Sequence, residues 1–196
     1  MPRPDTLDSV RAEERLYYEL RAPEYDDWYL GRGQHEGIER PGWDEELARL
    51  FAVIEALPPG RVLDIACGTG FLTRHLRGEV TGIDQSATML EIARGRCPGA
   101  TLLQADALAL PFEDRSFDRV FTGHFYGHLR ASDREQFLSE ARRLAPELVV
   151  VDTALRPGLG REEIHERVLS DGSRHAVYKR YFAPEELARE LGMTEE

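Results

Sequence analysis

Lysine is nearly absent from this chain: Lys179 is the only one, and the other basic residues are arginines. That bias resembles codon usage and carries no functional weight. Basic residues of either kind are outnumbered, 25 against 36 acidic ones, for a net charge of −11. Such a balance argues against a nucleic-acid backbone as the main partner. Long apolar runs are also missing, and nothing approaches the roughly 20 residues that span a membrane. The opening MPRPDTLDSV has no apolar core and so does not read as a secretory signal. Cysteine is scarce, with only Cys67 and Cys97, at a spacing that suits neither a metal site nor a disulfide framework. These absences predict a cytoplasmic protein with no metal and no membrane span, expected as a monomer or homodimer. At 196 residues, one domain with a sizeable core is the simplest expectation.

Residues 7–30 begin with helical spacing (Leu7, Val10, Leu16, Leu20) and end in the aromatic cluster Tyr25, Trp28 and Tyr29. A loop rich in glycine follows over 31–42, and WDEELARLFAVIEAL, 43–57, has the period of an amphipathic helix. Strands are then predicted at 61–66, 79–84, 100–106, 117–123 and 147–155. Helices are predicted between them at 71–77, 86–96 and 132–145, the last with a capping box from Ser132 and Glu135. Such alternation predicts an α/β, Rossmann-like, doubly wound and mostly parallel sheet. Residues 1–42 would form an N-terminal helical cap over a domain at 43–196. A hairpin around Asp171-Gly172 and a last helix from Pro184 to Gly192 complete the reading.

The stretch VLDIACGTGFLT, 62–73, raises the question of what its glycines hold. Gly68 and Gly70 follow a strand, where a tight turn lets a ligand lie against the backbone. The Gly-Lys-Ser/Thr of a P-loop is missing, and Thr73 stands where a dinucleotide fingerprint has its third glycine. Asp64, four residues before Gly68, would repel a pyrophosphate and attract a cationic amino group. Asp84 ends the second strand, where a carboxylate accepts hydrogen bonds from ribose hydroxyls. Asp106 ends the third, where one accepts from an adenine amino group. In a doubly wound sheet these strand ends line one crevice. Adenine, ribose and an ammonium group together describe S-adenosylmethionine.

VLDIACGTGFLT, TGIDQSATMLEIAR and QADALALPFEDRSFDRVFTGHFYGHL resemble, in order, the motifs of class I S-adenosylmethionine-dependent methyltransferases of the small-molecule type, with a type 11-like domain. The resemblance spans roughly residues 43–155. It implies sheet order 3-2-1-4-5, S-adenosylmethionine as cofactor and a small-molecule substrate as partner. Asp64, Ala66, Cys67, Gly68 and Gly70 would lie around its methionine part, and Asp84 would grip its ribose. Gln85 and Met89 would flank the adenine, Asp106 and Ala107 would read its edge, and Thr122 and Gly123 would border the methyl group. Tyr25 would reach the cofactor from the cap. His124 and His128 are candidate general bases, or groups that only position the acceptor, since methyl transfer from a sulfonium needs no base when the nucleophile is good. Ala66 departs from the family's usual glycine. The sixth and seventh strands of the family are also missing from the pattern, so a truncated or shortened sheet edge is expected ahead of a substitute hairpin at 167–182. RHAVYKRYF, 174–182, reads as a solvated hairpin or as the wall of an acidic-substrate pocket. A non-catalytic binding module and, less favoured, a nicotinamide-dependent oxidoreductase are the competing functions.

Overall fold

The computed structural model describes residues 7–192. The opening MPRPDT and the closing Met193–Glu196 lie outside the described residues, as do the side chains of Leu7 and Val10. Five strands form one parallel sheet: β1 (Gly60–Ile65), β2 (Gly78–Asp84), β3 (Thr101–Gln104), β4 (Arg119–Gly123) and β5 (Glu147–Val151). Their spatial order is β3-β2-β1-β4-β5, as the motif order predicts. Side chains alternate across the sheet with period two. Leu63, Ile65 and Val120 enter the core under the helix Ala131–Leu144, whereas Val62 and Phe121 enter the opposite core with Ile54 and Phe71. Both faces are therefore buried, and β1 reads as an apolar run with one acid in it.

The N-terminal part forms α1 (Leu7–Arg21), α2 (Asp27–Leu30) and α3 (Trp43–Ala56). Next come α4 (Ala87–Arg96), α5 (Ala131–Leu144) and, near the C-terminus, α6 (Pro184–Glu190). Ser86 caps α4, its hydroxyl accepting from the Met89 amide at 3.0 Å.

Three expectations need correction. The helix predicted at 71–77 is a single 3-10 turn, Thr73–His75. The glycine turn uses residues 66–70, and β2 starts at Gly78, where a Cβ would stand 2.2 Å from the Gly60 carbonyl oxygen. Too few residues remain for a helix. The capping box at Ser132 is absent: α5 starts one residue earlier, at Ala131, with Arg130 as its cap residue. Asp133 in that first turn is instead tied to Arg11 of α1. Finally, the hairpin exists but is longer than its turn suggested: β6 (Glu162–Val168) and β7 (Arg174–Arg180) form a separate antiparallel pair. It does not extend the main sheet; a single parallel bridge, Ala154 to Phe182, joins the segment after β5 to the segment after β7.

Nor is the hairpin wholly solvated. His175, Val177, Tyr178 and Lys179 are buried against α1 and the loop after β4. Gly127 of that loop permits the contact, because a Cβ there would stand 2.5 Å from the Arg180 carbonyl oxygen.

Candidate active site

A crevice opens at the C-terminal ends of β1, β2, β3 and β4, where a doubly wound sheet holds its ligands. Its floor is the turn after β1. Ala66 and Gly68 both take left-handed backbone angles, φ 59° and 53°, so the turn demands at Ala66 what the family glycine supplies. The Asp84 carboxylate ties the floor together, accepting from the Gly68 amide at 2.9 Å and from the Ser86 amide at 2.8 Å. Burial raises its pKa, and these backbone bonds oppose the rise.

One side wall is Gln85, Ser86 and Met89 with Asp106, Ala107 and Leu108. Met89 is 2% exposed, so it serves core and crevice together. Asp106 Oδ1 accepts from the Leu108 amide at 2.9 Å, an Asx turn that fixes the carboxylate at the rim. The far wall is Gly123, His124, Phe125, His128, Leu129 and Arg130. His124 is left-handed, φ 57°, its amide donating to the Val151 carbonyl at 2.7 Å. Such an outlier persists only when its surroundings impose it.

The roof is α1 and the turn after it. Tyr18 and Tyr25 face the crevice, together with Arg11, Glu14 and Arg15. The roof is pinned at several points: Arg11 pairs with Asp133, Arg15 Nε donates to Gln85 Oε1 at 3.1 Å, and the Thr88 hydroxyl donates to Glu19. Beyond Tyr25, Asp26 accepts from the Thr69 hydroxyl at 2.7 Å and pairs with Arg96 at 2.5 Å. Of the three N-terminal aromatics, Tyr25 faces the crevice, Tyr29 stacks on Phe71 with centroids 4.3 Å apart, and Trp28 packs against Trp43 while 41% exposed.

Four of the sequence candidates lie behind the crevice lining. Thr122 is fully buried, its hydroxyl donating to the Ile65 carbonyl at 2.8 Å. Cys67 and Gly70 stabilise the turn from below: the Cys67 amide donates to the Ile83 carbonyl, and Gly70 lies against Cys97. Asp64 is 2% exposed and accepts from the Thr73 hydroxyl at 2.6 Å. Burial, with the nearby Asp84 adding to it and the Thr73 bond opposing it, raises its pKa to about 7. The roof residues Arg11, Glu14, Arg15 and Tyr18 were missed by the sequence reading, as were Ser86, Arg130 and Asp133. The one signal for the roof was a polar face on a helix already placed beside the domain.

Comparison with known proteins agrees with this geometry. Residues 62–147 match a family described as "Methyltransferase domain". In structure, the chain superposes on the complex "DhpI-SAM-HEP" with a TM-score of 0.77 at 27% identity, over 96% of this chain and 90% of that one. The fold and its motifs are those of the class I S-adenosylmethionine-dependent methyltransferases. Residues 62–147 carry that family's domain. Among curated methyltransferases of this kind, the demethylmenaquinone methyltransferase of Thermotoga maritima is 41% identical over 101 residues, 49% of this chain and 43% of that protein. The 2-phytyl-1,4-naphtoquinone methyltransferase of Trichormus variabilis is 35% identical over 147 residues, 67% of this chain and 59% of that protein. The chain thus spans about half the length of these methyltransferase relatives. Among the described residues, no helix is long and apolar enough to cross a membrane.

Proposed function

We propose that this protein transfers a methyl group from S-adenosylmethionine to a small-molecule acceptor, in the cytoplasm, where the buried and unpaired Cys67 and Cys97 stay reduced. The observation that carries the reading is the Asp84 clasp. A carboxylate at the end of β2 holds the glycine turn of β1 and faces the crevice, beside apolar Met89, Ala107 and Leu108 and the acid Asp106. The residues present fit the cofactor. A Cβ at Gly68 would stand 3.8 Å from Tyr25 and 4.0 Å from Met89, so the space above that turn exists because the side chain does not. Asp84 would take the ribose hydroxyls, and Asp106 and the Ala107 amide the adenine edge, with Met89, Gln85 and Leu108 on its faces. Ala66, Gly68 and Gly123 would border the methionine part, with Tyr25 above it, so that the reactive methyl faces His124, Phe125 and His128.

The bound cofactor supplies an electrophilic methyl on a sulfonium. The chain supplies alignment and exclusion of water, which is what an in-line displacement requires. Tyr18 and Tyr25 place aromatic faces on the roof, which attract a cation. Burial raises the pKa of both phenols, Tyr25 to about 12, so they stay neutral. Residues 1–42 act in this reading as the cap of a domain formed by 43–196. Asp64 and Gly70 act through the turn rather than by contact.

Calorimetric titration with S-adenosylmethionine and S-adenosylhomocysteine, with NADH as control, tests the reading. We expect micromolar binding of both sulfur nucleosides. A hundredfold excess over Kd then stabilises the fold by about 2.7 kcal/mol, which raises Tm by roughly 5–10 °C. Binding of NADH in their place would refute the proposal in favour of the oxidoreductase. Binding of neither would favour a non-catalytic module.

A further inference from the structure

The hairpin β6–β7 meets the crevice lining at Tyr178, whose ring lies under Arg130 and whose carbonyl meets His128. The Tyr178 carbonyl oxygen lies 2.7 Å from His128 Nδ1. A carbonyl only accepts, so Nδ1 carries the proton and Nε2 carries a lone pair. Nε2 has no partner among the described residues, and the His128 ring lines the crevice with its neighbours Leu129 and Phe125. The loop bearing His128 is fixed from behind by a buried ion pair, Lys179 to Asp152 at 2.5 Å, with side chains 6% and 1% exposed. Asp152 also accepts from the Gly127 amide at 2.6 Å, immediately before His128. His124 differs: neither of its ring nitrogens has a partner among the described residues, so nothing sets its tautomer.

From this arrangement we infer that His128 presents a bare Nε2 to the crevice as a proton acceptor, that Lys179 and Asp152 are its positioning residues, and that the methyl acceptor is a hydroxyl on a small, flat, largely apolar body. The body follows from the aromatic and apolar part of the lining that His128 shares, Tyr18, whose ring lies 5.9 Å from that of His128, with Phe125 and Leu129. In the step this implies, the acceptor oxygen forms its bond to the methyl carbon as the carbon–sulfur bond breaks with its electron pair on sulfur. The proton of that oxygen passes to Nε2 and then to water. The products are a methyl ether, S-adenosylhomocysteine and one proton. Burial and the Lys179 ammonium hold the His128 pKa far below the ordinary histidine range, against the pull of Asp152. The ring therefore rests neutral and ready to accept, though as a weak base that acts in the transition state rather than before it. The lone lysine of the chain thereby acquires a role.

The inference rests on the cofactor reading for its sulfur product but not for its tautomer, and the test separates the two. Full-length protein labelled with 15N-histidine is followed by long-range 15N–1H NMR, with and without S-adenosylhomocysteine, and His128→Gln assigns the signals. We expect the Nδ1–H tautomer at pH 7 in both states. Added phenol should shift the His128 Nε2 signal, whereas anisole, its methylated counterpart, should leave it in place. An Nε2–H tautomer or an imidazolium at pH 7 overturns the inference while leaving the cofactor reading untouched. Equal shifts from phenol and anisole, or none from either, overturn the hydroxyl acceptor. A nucleoside that moves no signal defeats the cofactor reading and the sulfur product with it. For the positioning pair, the double variant Asp152→Asn/Lys179→Met should lose the single tautomer and show a raised His128 pKa, whereas Lys179→Arg should keep the single tautomer and the lowered pKa. An unchanged His128 spectrum in the double variant would reduce the pair to a structural role.

Discussion

Asp64 offers a prediction whose size follows from its surroundings. It lies inside the sheet, 2% exposed, with one hydrogen bond from Thr73 and the Asp84 carboxylate nearby. Its pKa rises from 3.8 in the open chain to about 7 in the fold, chiefly through burial. Between those values the unfolded chain has released the proton and the folded one has kept it. Stability contributed by the neutral acid is thus complete below pH 4 and is lost as pH rises through 7. Three pKa units correspond to about 4 kcal/mol at ~1.4 kcal/mol each.

Asp64→Asn removes this term, because the amide oxygen still accepts from Thr73 and carries no charge. At pH 8 the variant should be more stable than the parent by up to ~4 kcal/mol, which for a chain of this size is about 8–16 °C in Tm. At pH 3.5 the two should melt together. Thermal melts of the ligand-free protein from pH 3.5 to 8.5 measure the difference at each pH. A difference that stays constant across that range would refute the argument, since it would show that Asp64 ionises alike in both states.

Two further perturbations bear on the same turn. Asp84→Asn keeps one acceptor for two backbone amides, so it should cost the fold about 1.5–3 kcal/mol and weaken S-adenosylhomocysteine binding about tenfold or more; unchanged affinity by calorimetry would remove Asp84 from the ribose. The same variant should move the pH-dependent loss of stability to lower pH, because Asp84 raises the pKa of Asp64. Gly70→Ala forces a side chain into φ 75° with its Cβ 2.8 Å from Cys97 Sγ, and urea melts should show a loss of about 2–4 kcal/mol. Adding Cys97→Ala should restore the part due to the clash and leave the part due to φ, and full restoration would mean that the backbone angle costs nothing.

What was legible in the sequence is what local chemistry decides. Short apolar strands ending in acids, with glycines after the first, place the sheet, its order and its crevice, because those residues answer to their immediate neighbours. The 71–77 segment misled because its apolar spacing is that of a helix, whereas its length is set by where the turn ends and β2 begins. Ser132 misled similarly: a capping box is a local rule, and α5 starts at Ala131 with Asp133 committed to Arg11, 122 residues away in sequence. The roof and the His128 tautomer were illegible for the same reason. Each depends on contacts across more than 40 residues, and no spacing in the chain announces them.

That division bears on the acceptor. The family match covers residues 62–147 and so includes Gly68, Asp84, Met89 and Asp106, the half of the crevice proposed for the cofactor. The acceptor half draws on more of the chain: Tyr18 and Tyr25 from before the match, the 123–130 loop within it, and Asp152, Tyr178 and Lys179 from after it. The structure likened over nearly its whole length at 27% identity is the better guide to how cap and hairpin meet. The hairpin's Tyr178 carbonyl supplies the one bond that gives His128 a defined proton, so an acceptor for this protein is to be sought by what Nε2 can receive.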